Sequence, residues 1–160
     1  MCKKYRVKHR GWIKVHIAVD VNSKRIVAIQ ITDESVADHE VIETMLKHIP
    51  LRDVLLDGAY DNEATFLFLK KRGLRKPGIK LRKNATGIRE SPRSYAVRDF
   101  KELGFKRWKK KHRYGKRWAV EGIFSAIKRC FGETVRASSI NGMIKEVARK
   151  FIFYDMLSSL

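Results

Sequence analysis

The chain is poor in cysteine, in acidic residues and in long apolar runs. Its two cysteines, Cys2 and Cys130, make neither a disulfide framework nor a metal-ligand pattern, which points to a reducing compartment. No stretch approaches the roughly 20 apolar residues of a membrane-spanning helix. The basic N-terminus has no apolar block behind it, which excludes a secretory signal pattern and leads us to expect a cytoplasmic protein with no membrane partner. There is no internal repeat or low-complexity tract. At 160 residues the chain is expected to be one domain, 1–160, large enough to bury a core without staples.

Acids number 17 against 36 Lys and Arg, a formal net charge of +19. Residues 70–117 hold twenty of the basic residues and only three acids, while the rest of the chain is close to balanced with sixteen against fourteen. A cationic excess confined to one contiguous third implies a polyanionic partner, because each phosphate neutralised releases condensed counterions. Nucleic acid is the expected partner. A solvated basic stretch, or contact with a ribosome or membrane surface, is the alternative.

Residues 12–21 alternate Ile13, Val15, Ile17 and Val19 with polar or small residues, a strand period. Asn22-Ser23 signals a turn, and 25–32 (RIVAIQIT) is a second β-branched run, so a hairpin is expected, with His16 a strand-face residue. Ser35 or Asp38 is placed to cap a helix running to about residue 47 and ended by Pro50. DVLL at 53–56 reads as a buried strand that delivers Asp57 at its C-terminal end, where open sheets gather functional groups. Asp57 is thus a site candidate, with a plain turn residue as the other reading. Asp61 or Asn62 can cap a helix over 63–72 with Phe66, Leu67 and Leu69 facing inward and Gly73 as the stop, and a short strand is expected near 78–81. Residues 82–116 carry few aliphatic side chains, which suggests a DNA-contact loop ordered on binding, with a short helix over 95–103. Its run KRWKKKHR sets Trp108 among Lys109, Lys110, Lys111 and Arg113, a surface suited to phosphate contacts with the indole stacked on a base; the alternative is that Trp108 caps the core. A last apolar-rich helix spans about 142–157.

The stretch that organises the chain is RYGKRWAVEGIFSAIK at 113–128. On a helix, Arg117, Glu121 and Lys128 fall on one stripe and Val120, Ile123, Phe124, Ile127 and Phe131 on another. Arg117 and Glu121 could be an ordinary surface pair at i,i+4. Yet the spacing Tyr114-x2-Arg117-x3-Glu121-x6-Lys128 resembles the signature around the last acidic residue of insertion-sequence transposases of the DDE class. LLDGAYDN at 55–62, KVHIAVDVNSKRIVAIQIT at 14–32 and ETVRASSINGMIKEVARKFIFYDML at 133–157 are similar to further segments of that family, in its order.

The resemblance implies an α/β fold, a ribonuclease-H-like mixed sheet with flanking helices. It implies metal-dependent DNA cleavage and strand transfer in which three carboxylates hold two Mg²⁺ (or Mn²⁺) ions. By motif, Asp57 is the second acid and Glu121 the third, both metal ligands, with Tyr114, Arg117 and Lys128 as DNA contacts. DNA (element ends and target duplex) and a homodimeric partner follow from it, as does a place in the prokaryotic cytosol or nucleoid. Only MCKKYRVKHRG precedes the hairpin, and it holds no acid. Asp20, at the turn end of its strand, lies about 10 Å or more from where the first acid should be, too far to share a metal. The first strand and its Asp are therefore expected on an upstream polypeptide segment. A remnant that only binds DNA, and a ribonuclease-H-like nuclease, are the competing readings.

Overall fold

The computed structural model describes residues 13–159. The expectations for the acid-free stretch before the hairpin, for Cys2 and for Trp12 lie outside the described residues.

Strands β1 (Ile13–Val19) and β2 (Ile26–Asp33) form the expected antiparallel hairpin. Asp20 closes its turn, accepting from the Asn22 N–H (3.1 Å) and the Ser23 hydroxyl (2.7 Å). Ile26 and Ile29 are three apart, a spacing that would place them on opposite faces of a regular strand. A register shift at Ala18/Val19 resolves this: Ile17 pairs with Ile29, Val19 pairs with Ile26, and Val27 is left facing solvent. Val15, Ile17, Val19, Ile26, Ile29 and Ile31 consequently share one core with buried Ile123, Ile127, Val147 and Phe151. His16 is buried and hydrogen-bonded to the Thr32 hydroxyl at 3.1 Å, a strand-face residue as expected.

The segment after β2 departs from the expected 35–47 helix. Asp33 engages the backbone N–H and hydroxyl of Ser35, which draws that residue into a turn and away from capping. Only α1 (Ile42–Leu46) is helical, and its first residue follows Val41 with no side-chain cap. Strand β3 (Leu55–Leu56) pairs in parallel with β4 (Gly78–Ile79), linked by a 3₁₀ turn at Gly58–Tyr60 and by α2 (Glu63–Lys71). Asn62 caps α2 by accepting from the Thr65 N–H at 2.9 Å, and Gly73, at φ 84°, stops it. Phe66 and Leu69 face inward as expected, whereas Leu67 is exposed. A second core gathers Ile42, Leu46, Phe66, Leu69, Leu74, Ile79, Leu81 and Val97.

The 82–116 segment is not a loop. Helix α3 (Pro92–Lys111) occupies most of it, started by Ser91, whose side chain accepts from the Ser94 N–H at 3.2 Å, with Pro92 in the first turn. Gly104, at φ 70°, breaks α3 into two pieces. That break allows Phe100 and Phe105 to enclose Trp108 (ring centroids 5.2 and 6.2 Å away), so Trp108 is 2% exposed and is not available to stack on a base. The organising stretch likewise is not one helix. Arg113 adopts a left-handed conformation (φ 50°), Tyr114–Arg117 form a 3₁₀ turn, and α4 (Trp118–Phe131) starts after them. Helix α5 (Ile140–Leu157) closes the fold; Asp155 on it holds the hairpin turn, accepting from Arg25 (2.7 Å) and from the Ile26 N–H (3.0 Å).

The architecture is α/β. Among the described residues the strands form two separate two-stranded sheets, β1–β2 and β3–β4, and not the single mixed sheet expected. Between them lies a groove of about 1160 Å³, lined by Ile17, Ala18 and Val19 of β1 and by Leu55 and Leu56 of β3. The bonds from β4 reach Val54 O (2.8 Å) and Leu56 O (3.1 Å), so the N–H and C=O of Leu55 point to the opposite edge.

Candidate nucleic-acid interface and acidic site

Asp57 follows directly on the C-terminal end of β3. Its Oδ1 accepts from the Ala59 N–H at 2.9 Å, which starts the 3₁₀ turn and fixes the carboxylate at the strand end. A hollow of about 470 Å³ opens over it, and the charged or polar side chains around that hollow are Asp57, Lys80, Arg82, Lys83, Tyr114 and Arg117. Four cations thus surround one carboxylate.

Tyr114 reaches this place through the 3₁₀ turn. Its hydroxyl donates to the carbonyl oxygen of Leu56, the residue before Asp57, at 3.0 Å. Its ring packs 5.0 Å from Trp108, and the Arg117 guanidinium lies 5.9 Å from its ring centroid. Burial raises the Tyr114 phenol pKa; Arg117 acts against that rise, and the charges of Asp57 and Glu121 add to it. Tyr114 is therefore an un-ionised donor at neutral pH, with the fields of Asp57 and Glu121 meeting at its hydroxyl. Burial likewise pushes the Tyr60 phenol up to about 12, with Asp38 and Asp57 contributing.

Glu121 sits in the first turn of α4 and forms an ion pair with Arg117 at i,i+4. The structure thus connects four motif residues in sequence: Asp57 to Tyr114 through Leu56, Tyr114 to Arg117 through the ring face, and Arg117 to Glu121. Lys128 does not join them, because it pairs with Glu133 at 3.1 Å near the far end of α4. Lys111 pairs with Asp99 at 2.6 Å, and Lys111 and Arg113 border the larger groove beside Lys116. Lys109 and Lys110 are exposed in the last turn of α3.

Two features of the site escape sequence reasoning. Lys80, Arg82 and Lys83 belong to the basic segment without standing out from it, although a signal is present: three cations in four residues directly after a strand. Asp61 has the position of a helix cap in the sequence. Instead its carboxylate is fully buried and accepts from Arg93 Nε (2.6 Å), Arg93 Nη2 (3.0 Å) and the Arg82 N–H (2.9 Å).

Asp57 and Glu121 are carboxylates of the hard-oxygen type that suits Mg²⁺. No group of three His, Cys, Asp or Glu residues among the described residues could hold a metal ion. The described residues alone therefore do not fit the pair of divalent cations that three carboxylates would carry. No helix among them is long and apolar enough to cross a membrane.

A family model described as transposase DDE domain matches residues 2–156. No solved structure matches the chain.

Proposed function

The chain belongs to the transposase DDE-domain family, and from that membership we propose that it is the larger part of a catalytic domain for DNA cleavage and strand transfer in transposition of an insertion sequence. The observation that carries this reading is the hollow at the end of β3, where Asp57 lies among Lys80, Arg82, Lys83 and Arg117, with Glu121 linked to it through Arg117 and Tyr114. Such a hollow attracts a phosphodiester and holds it against a carboxylate. Arg117 and the lysines neutralise the non-bridging oxygens, and the guanidinium can do so in bidentate fashion. Tyr114 commits its hydroxyl proton to Leu56, so its part is to set Arg117 and the strand end in register. Asp57 and Glu121 would hold divalent cations only together with a further acid, and cations so held would supply activation of the attacking hydroxyl and charge stabilisation at phosphorus.

The groove between the two sheets supports a second element of the reading. β1–β2 and β3–β4 are taken as two halves of one ribonuclease-H-like sheet whose central strand comes from the upstream segment. The free edge of Leu55 and the apolar lining suit an added strand. An acid on that strand would bring the carboxylates beside Asp57 to the number that two metal ions need. The chain alone is then expected to show little or no nicking or strand transfer. Mg²⁺-dependent nicking of supercoiled DNA by the chain alone, abolished in Glu121→Ala, would overturn the need for the added strand.

A second reading, a basic DNA-binding remnant without chemistry, is favoured by the absence of any cluster of three metal-ligating side chains among the described residues. Mn²⁺ titration with the upstream segment present separates the two. Affinity that falls in Asp57→Ala supports the catalytic reading, and unchanged affinity supports the remnant.

A further inference from the structure

The segment Lys80–Lys83 has more order than a solvated basic stretch requires. Lys80 is tied to β3 through its N–H to Leu56 O at 3.1 Å, and Leu81 is buried at 6% exposure. The Arg82 N–H ends on the buried Asp61 carboxylate, and the Arg82 carbonyl accepts from the Ala85 N–H at 3.0 Å. The segment is thus anchored by the Lys80 and Arg82 backbones and by the buried Leu81 side chain, while the side chains of Lys80, Arg82 and Lys83 are exposed. Among the described residues none of the three takes part in an ion pair, whereas Lys111, Arg117 and Lys128 all do. Three like charges held close together, none ion-paired and with Asp57 the one carboxylate lining their hollow, repel one another, and an anion bound there relieves the repulsion. The anchor beneath them is equally specific. Asp61 lies four residues beyond Asp57 and joins the end of the 3₁₀ turn, the 80–83 segment and the first turn of α3 through Arg93.

Resting on the transposase reading, we propose that Lys80, Arg82 and Lys83 form a lip that binds backbone phosphates of the DNA strand entering the Asp57 hollow, and that Asp61 is the positioning residue that holds this lip. The lip touches phosphates alone, so its contribution is independent of base sequence and sensitive to salt.

The test is duplex DNA binding by the full chain, followed by fluorescence anisotropy across a salt series. Lys80→Ala/Lys83→Ala should lower the slope of log affinity against log salt by about 0.9 for each phosphate no longer neutralised, so by about 2 for the pair. Lys145→Ala/Arg149→Ala, an equal charge removal at exposed positions of α5, should leave that slope unchanged. Asp61→Asn should also lower the slope, and should add nothing in a Lys80→Ala/Arg82→Ala/Lys83→Ala background where no lip charge remains to be positioned, a non-additivity that general loss of structure would not produce. Arg93→Lys, which keeps the charge and gives up the two-pronged geometry, serves the same purpose should Asp61→Asn fail to fold. An unchanged slope in Lys80→Ala/Lys83→Ala overturns the lip while leaving the transposase reading intact. Additive effects of Asp61→Asn overturn the positioning role. If the unmodified chain binds no DNA, the transposase reading fails and the lip fails with it.

Discussion

Replacing Arg93 by alanine removes two charge-assisted hydrogen bonds from a carboxylate that has no exposure of its own. Only the Arg82 N–H would remain as a partner for Asp61. Removing one member of a fully enclosed ion pair costs about 3–5 kcal/mol, chiefly because the other charge stays buried and uncompensated. The Arg93 side chain is 20% exposed, so water can reach part of the vacated space. We therefore expect a destabilisation of about 2–4 kcal/mol, a large share of the about 5–15 kcal/mol that holds a domain together. Asp61→Asn in the Arg93→Ala background removes the stranded charge and should recover part of that stability, giving a coupling of about 1–3 kcal/mol. Urea unfolding followed by far-UV circular dichroism measures all four members of the cycle, with the denaturant slope checked for constancy. If Arg93→Ala shifts stability by less than about 0.5 kcal/mol and the coupling is near zero, the Asp61 network does not exist in solution.

Trp108→Ala should cost about 3–5 kcal/mol in the same assay, because the indole is enclosed by Phe100, Phe105, His112 and Tyr114; a stable variant with weakened DNA binding would restore the base-stacking role. Burial lowers the pKa of both His16 and His112 from 6.5, so the unfolded chain binds more protons than the folded one once the pH falls below that value. Stability should be full above about pH 6.5 and decline as the pH drops toward the lowered folded-state values. His16→Gln/His112→Gln should flatten this decline in urea midpoints measured between neutral pH and about pH 5, and an unflattened profile would assign it elsewhere. Gly78→Ala should destabilise markedly in thermal unfolding, since an added Cβ would stand 2.7 Å from Leu55 Cδ2 and 3.3 Å from Val54 O; an unshifted midpoint would contradict the close packing of β4 on β3.

The elements that were legible in the sequence are those with a local cause. Alternation in 12–21 and 25–32 marks the hairpin, Gly73 stops α2, and the apolar run ahead of Asp57 places that residue at a strand end. Charge composition hides α3. Its buried residues are few (Ser94, Val97 and Trp108), too sparse among lysines and arginines to show a helical period, and its start depends on the Ser91 cap. Helical spacing puts Arg117, Glu121 and Lys128 on one stripe of a single helix, but the left-handed Arg113 and the 3₁₀ turn over Tyr114–Arg117 delay the start of α4 to Trp118. The role of Asp61 cannot be read from sequence, because its partner Arg93 lies 32 residues away and only the folded chain brings them together. Lys80, Arg82 and Lys83 are visible as charges, yet their position over Asp57 depends on the β3–β4 pairing.

Asp57 and Glu121 are proposed to perform phosphodiester chemistry once an added strand completes their site. That role is tested most directly by joining of a pre-cut 3′-end oligonucleotide to a target duplex in Mn²⁺. The chain would be supplied together with the polypeptide encoded immediately upstream of its Met1 codon. A joined product is expected from the combination, none from the chain alone, and none from the combination when either Asp57→Ala or Glu121→Ala is present. Joining that survives both substitutions, or no joining from the combination, would contradict that role.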